Sequence, residues 1–475
     1  MYFPHKKISS LITFLFVVAL IFTSSYNISF AQLNGNYTIG IAGQFKDFKS
    51  AIEELKKSGV SGKVNFEIQN GVYVEQIEIP EIAGAGLQNK IIFQSLSGNR
   101  DDVELKFAGS VNKNYVINFN GCGFVEFKNI TVKNLNKPFN GLIKFSNGSD
   151  NIRLYGLKLA SLKNINNDFN TAMSFDGGKF ENILIEDNLF LNSYFAIHNS
   201  LNNSEIFNLS LTDNEFENCV NSVQLINVNG LTAESNLFNN SLYGFSLNKI
   251  SGVSKINKNK FNKIFNSGIF VVNSQFPNFS PMVISNNLYT GNGGGITIDS
   301  GSKNIYVVFN TVWMKENSLL QNDSSFALEL NKCDSVKILN NIFVNSSEGY
   351  VLKFSDFNLN NYLDFNDYYS EGKIFGKVND IEIIDFDSFK KIYTSNVNSV
   401  FENPLFKDES NPIPLSDKLK FRTETKVLEY VNDDINGTVR NSFTGIGAFH
   451  NPLFQTTEKL KGKICCLYFY NSKQV

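Results

Sequence analysis

From Ile185 to Tyr368 the chain repeats one short frame: an aliphatic residue, two variable residues, an asparagine, one variable residue and a large apolar residue. The asparagines are Asn188, Asn214, Asn236, Asn259, Asn287, Asn310, Asn341 and Asn366, at intervals of 26, 22, 23, 28, 23, 31 and 25 residues. Phe127-Ile130-Val132 and Leu154-Leu157-Leu159 carry the same frame earlier, with aliphatic residues replacing asparagine. A second phrase alternates with the first: apolar-x-apolar, then Asn, Gly, Ser or Asp. It begins at Ile143, Met173, Phe195, Val223, Phe245, Ile269, Ile296, Leu328 and Leu352. Period-two alternation between turn residues predicts short strands, at least two per repeat. The apolar spacing is two, which excludes a helical solenoid, and a propeller blade needs about 40 residues.

Repeats of this length predict an all-β fold, a parallel β-helix solenoid of roughly 10–13 coils. Equivalent residues of successive coils then lie about 4.8 Å apart. Asparagine above asparagine makes an amide ladder that also serves backbone groups left free at a turn. The chain holds 68 Asn and only 9 Pro, as such a winding requires. The residues after the asparagine column, Phe190, Phe216, Phe238, Phe261 and Phe343, are expected to point inward. An open coil is a bare sheet edge. Phe48, Ala51, Ile52 and Leu55 make an apolar stripe at helical spacing before Gly59, so residues 47–58 are expected to cap the first coil.

The N-terminus changes the setting. Lys6 and Lys7, an apolar run from Leu11 to Phe22, and Ser29-Phe30-Ala31 fit a cleaved signal peptide, with an apolar core too short to span a bilayer. The expected layout is a signal over 1–31, an N-terminal cap and first coils over 32–107, coils over 108–410, a last coil and cap over 411–449, and a tail from 450 to 475 of unassigned role. The protein is therefore expected outside the cytoplasm: secreted, on the cell surface, or periplasmic. A net charge of −2 excludes a generic electrostatic binder of nucleic acid. Cys122, Cys219 and Cys333 are expected as small buried apolar residues, and no cysteine spacing suggests zinc. Cys465 and Cys466 lie in the apolar part of the tail.

The segments SGKVNFEIQNGVYVEQIEI and NKIIFQSLSGNRDDVEL, with NPLF at Asn403 and DINGTVRNSFTGIGAF at Asp434, resemble secreted bacterial right-handed parallel β-helix proteins of the pectin-lyase-like superfamily. The resemblance runs over roughly residues 33–449 and speaks to fold far more than to activity. It implies a polysaccharide or cell-surface glycan as partner, met along an exposed strand face.

Two candidate sites follow from stacking equivalent positions. The column after the second phrase reads Ser146, Asp176, His198, Ile226. Asp176 and His198 are thus expected neighbours, a pair able to act as general base and orienter, or simply a turn acid beside a histidine. Ahead of the asparagine column, Glu186, Asp187, Asp213 and Glu234 form an acidic cluster over three coils. Hard oxygens so grouped suit calcium, as calcium-assisted lyases of the resembled superfamily use them, and they equally suit a solvated charged turn. Phe270 faces outward and either stacks on a sugar ring or lies beneath the loop 273–281. The Arg, Asn-Thr-Asp and Gly-His-Gly signatures of the superfamily's lyases and hydrolases are missing. The expected function is a non-catalytic carbohydrate-binding or structural, adhesive β-helix; the alternative is a polysaccharide lyase or glycoside hydrolase acting near Asp176, His198 and the acidic cluster.

Overall fold

A computed structural model describes residues 31–135, 139–163, 170–199, 204–315, 325–356, 360–409, 411–419, 429–440 and 445–450. The signal segment and the Cys465-Cys466 tail lie outside the described residues. The chain winds as a right-handed parallel β-solenoid of about 12 turns. Each full turn contributes a strand to each of three columns. The first includes Ile143–Ser146, Thr171–Asp176, Phe195–Asn199 and Ser267–Val272; the second includes Arg153–Tyr155, Ser204–Thr212, Lys255–Asn257 and Met282–Ser285. The third holds 12 strands from Gly71–Val74 to Asp367–Ser370. All pairings between turns are parallel, and among the described strands only Gly376–Val378 with Ile381–Ile383 is antiparallel.

The turn from second to third column explains the asparagines. Each of the eight is preceded by a residue at φ between 52° and 60°: Asp187, Asp213, Ser235, Lys258, Asn286, Phe309, Asn340 and Phe365. That left-handed kink frees backbone groups inside the coil, and the asparagine side chain takes them up. Asn236 Nδ2 donates to Leu211 O at 2.9 Å and to Asn259 Oδ1 at 2.9 Å, while Asn214 Nδ2 and N each donate to Asn236 Oδ1 at 3.0 Å. The pattern runs from the amide of Leu157, bonded to Asn188 Oδ1, to Asn366, whose amide is bonded to Ser399 Oγ. Asn129 and Gly156 kink the earlier turns in the same way, ahead of Ile130 and Leu157.

Two positions on, Phe190, Phe216, Phe238 and Phe261 stack with centroids 4.7–4.8 Å apart, all fully buried. Offset stacking of rings at the coil repeat combines area burial with favourable ring geometry. Beside them runs a column of small residues. At Gly268 a Cβ would meet the Tyr289 ring at 2.6 Å and the Gly295 carbonyl at 2.8 Å, so only hydrogen fits. Cys122, Cys219 and Cys333 are buried free thiols, their pKa values pushed up to about 12 by burial.

Both ends are closed. Helix α1 (Phe48–Ser58) buries Phe48, Ala51, Ile52 and Leu55, and Asp47 with Ser50 forms its capping box. Phe48 stacks on Phe93 at 6.0 Å, and Glu75 accepts the amides of Phe48 and Lys49 at the helix start. The opposite end is shut by the antiparallel hairpin and by helix α2 (Phe386–Ile392), whose Phe386 and Phe389 lie 6.0 and 5.9 Å from Tyr368. Residues 429–440 and 445–450, by contrast, turn back along the flank as a strap. Val431 packs on Tyr306, Val308 and Phe309, and Ile435, Ala448 and Phe449 pack on Leu288. Its clamp is Arg440, 5% exposed, with its guanidinium 3.9 Å above the Phe309 ring.

Candidate functional site

The first column presents its outward side chains in registered rows. One row runs Lys144, Ser174, His198, Gln224, Ser246, Phe270, Thr297, Glu329 and Lys353. The row before it includes Phe195, Asn221, Tyr243 and Ser267. His198 therefore stands beside Ser174 and Gln224, in the row expected to hold Ala196. Asp176 stands beside Ser146, one outward position further along. The expected register between Asp176 and His198 is thus corrected by two residues. The reason is Asn199: it occupies the inward site opposite Phe175, fully buried, exchanging hydrogen bonds with Ile226 N and O at 2.7 and 2.6 Å. A polar residue in an apolar slot hid the true alignment. Asp176 pairs with Lys144 at 2.6 Å, and the His198 ring stacks on Phe195 at 4.4 Å.

Beside His198 and Phe270, which the repeat columns singled out, this face carries Phe195 and Tyr243. Phe195 and His198 share one rung, and Tyr243 and Phe270 stand on the second and third rungs after it. Between them Gln224 Oε1 and Ser267 Oγ are shut off from solvent with no hydrogen-bond partner. Such groups cost free energy unless something supplies a partner. Phe270 itself is partly buried. The loop 273–281 buries Phe276, and its residues 279–281 line the second column.

The acidic cluster is assembled by the turns as stacking predicts. Tyr155↔Glu186, Glu186↔Thr212 and Thr212↔Glu234 are register partners, and Asp187 and Asp213 both occupy the left-handed kink. Three of the four carboxylates meet cations: Glu186 with Arg153 at 2.6 Å, Asp187 with Arg100 at 3.3 Å, and Glu234 with Lys255 at 2.5 Å. Asp213 is the exception. Its pKa is raised by burial first, then by repulsion from Glu186, Asp187 and Glu234. Among the described residues, no group of three or more His, Cys, Asp or Glu converges as a cage for a metal ion.

A carboxyl whose folded pKa is raised contributes stability below its ordinary range, and that contribution is lost as pH rises through the folded value. Asp213→Asn is therefore expected to stabilise the protein at pH 7, by roughly 0.3–0.5 kcal/mol after solvent screening. The gain should fade below about pH 4, where Asp213 is itself neutral. Asparagine also suits the left-handed kink, as at Asn286 and Asn340. Thermal melts of both proteins from pH 3 to 8 check this; equal melting temperatures throughout would remove the repulsion.

The winding and the asparagine ladder define a right-handed parallel β-helix. Solved structures with this winding include XylC in complex with xylose, at 11% identity and TM-score 0.44, covering 88% of this chain and 98% of that one. A mannuronic-acid-specific polysaccharide family 6 lyase from the human gut microbiota is 11% identical with TM-score 0.36, covering 90% and 99%. PfbA, a surface adhesin of Streptococcus pneumoniae, is 13% identical with TM-score 0.30, covering 66% and 88%. No family profile matches the sequence, and no curated protein matches it. The likeness is one of fold.

Proposed function

We propose that this protein is an exported, cell-surface or secreted β-helix that holds polysaccharide along its first-column face, in a binding or adhesive role without catalysis. The observation that carries this reading is the outward face itself, where Phe195, His198, Tyr243 and Phe270 stand in register with the polar side chains of Asn221, Gln224 and Ser246. Rings offer flat apolar faces to the C–H side of a pyranose, and outward amide and hydroxyl groups beside them suit its hydroxyls. The rungs repeat every ~4.8 Å, close to the length of one sugar unit, so a polymer can run along the solenoid axis.

Retention of the protein in gels containing a panel of acidic and neutral polysaccharides tests the reading. One polymer is expected to retard it, and Tyr243→Ala with Phe270→Ala is expected to weaken that binding about tenfold, the value of two modest ring contacts. Unretarded migration in every gel would end the proposal. A second reading, a polysaccharide lyase or glycoside hydrolase, is favoured by one feature: the raised pKa of Asp213 inside an acidic cluster, as general acids require. It predicts release of reducing or unsaturated ends from the same panel, abolished in Asp213→Asn.

A further inference from the structure

A cleft of about 480 Å3 lies on a different side of the coil, built from three separate parts of the chain. Its floor is the outward side of the second column, where Thr232, Lys255 and Val283 are register partners, as are Glu234, Asn257 and Ser285. One wall is the loop carrying Phe279, which is 88% exposed. The other is the strap from Tyr430 to Asp433. Tyr430 is 42% exposed yet held in place edge-on against Tyr306, at 5.3 Å and 82°.

The polar groups of the floor are already oriented. Lys255 Nζ lies 2.5 Å from Glu234, Asn257 Nδ2 donates to Glu234 at 3.0 Å, and Ser285 Oγ donates to Asn257 Oδ1 at 3.0 Å. Burial works to raise the Glu234 pKa, but Lys255 and Asn257 outweigh it and hold the group below its ordinary value, so it stays an ionised acceptor. Lys258, with its side chain 14% exposed, is tied to Asp433 at 2.6 Å across the strap. Two cations face two carboxylates, and the cleft as a whole carries no net charge.

Two solvent-facing aromatic rings, fixed amide and hydroxyl groups, and balanced charges select a ring-shaped ligand rich in hydroxyls and lacking charge. We infer that this cleft binds a short neutral saccharide, with Tyr430 and Phe279 against pyranose faces and Glu234, Lys255 and Asn257 on hydroxyl groups. The volume accommodates about two such rings, within the ordinary range for small-ligand sites. A uronate has no unpaired cation to meet here; it would have to displace Glu234 from Lys255 or Asp433 from Lys258. The inference shares a ligand class with the first-column proposal and nothing else, since no residue is common to the two sites.

Saturation-transfer NMR on the full chain separates them, using cellotriose, xylotriose and mannotriose as neutral probes and tri-galacturonate as the anionic one. At least one neutral trimer is expected to receive saturation. Tyr430→Ala and Phe279→Ala should each weaken it three- to tenfold, while Phe270→Ala on the first column leaves it unchanged. Both wall residues are exposed, so the variants retain the fold, and an unaltered melting temperature confirms it. Failure of all three neutral trimers overturns the inference. So does binding that survives both wall variants but falls with Phe270→Ala, and so does tri-galacturonate binding more tightly than the neutral trimers.

Discussion

Asn236→Asp is expected to cost about 3–5 kcal/mol of stability at pH 7, the range for a buried charge left without a partner. The two substituents differ by one atom, so packing is unchanged and electrostatics decides the outcome. Asn236 is 1% exposed. An aspartate there still accepts from Asn214, but its second oxygen confronts the oxygens of Leu211 O and Asn259 Oδ1, where an amide had donated. Three acceptors then meet in the interior with no proton among them. Protonation restores one donor and removes the charge, which raises the folded pKa of the new carboxyl. The penalty should therefore shrink as pH falls through that raised value and be least below about pH 4. Thermal or urea melts at pH 4 and pH 7 provide the measurement. Equal destabilisation at both pH values would show that the side chain at 236 is not enclosed by acceptors.

Arg440→Met should release the strap while leaving the solenoid wound. Arg440 Nε donates to Asp433 O at 2.9 Å, and Nη2 donates to Asn286 Oδ1, Gly447 O and Ala448 O at 2.8, 2.9 and 3.2 Å. Burial pushes its pKa down to about 9 against the pull of Asp434 and Asp433, so it remains charged at neutral pH. Methionine fills the space over Phe309 but strands these acceptors, at about 1 kcal/mol or more each. A local loss of about 3 kcal/mol corresponds to roughly hundredfold faster hydrogen exchange at strap amides. The amides to follow are Gly447, bonded to Asn340 O, and Ala448, bonded to Thr311 Oγ1. The ladder amides of Asn214 and Asn236 should keep their protection, because the strap touches other rungs. Lysine at 440 has one cationic centre and no planar fork, so Arg440→Lys should recover only part of the protection. Unchanged exchange at Gly447 and Ala448 in Arg440→Met would mean that the strap is held by its apolar contacts alone.

The winding was legible because its determinants are local and recur. Each left-handed kink creates the same backbone demand, and each asparagine answers it, so the column could be read from spacing alone. Inward phenylalanines followed from the same count, and α1 from the spacing of Phe48, Ala51, Ile52 and Leu55. Legibility failed where one residue broke the alternation or where a partner came from far along the chain. Asn199 in an apolar slot shifted the register of His198. Arg100 lies 87 residues from its partner Asp187, and no periodicity announces that contact. Helix α2 has seven residues, too few to display a stripe. The closing segment resembled by residues 434–449 was expected to complete the last coil. On the flank it is bonded through Arg440, one residue whose partners are mostly backbone carbonyls, and carbonyls leave no trace in a sequence. For the same reason the rings of Tyr430 and Phe279 could not be brought to one cleft before the strap was seen.

The ladder also bears on how the molecule ages. Asparagine deamidates when the amide nitrogen of the following residue attacks its side-chain carbonyl carbon. In the rungs that nitrogen is engaged: Glu215 N is bonded to Asn188 O, Leu237 N to Asn214 O, Lys260 N to Asn236 O and Leu288 N to Asn259 O, all at 2.8–2.9 Å. The electrophile is pinned as well, because each side-chain amide is held by the next one. Hydrolysis of these asparagines must wait for a rung to open. A chain in which one residue in seven is prone to this slow damage thus shelters the members whose conversion to a carboxylate would harm it most.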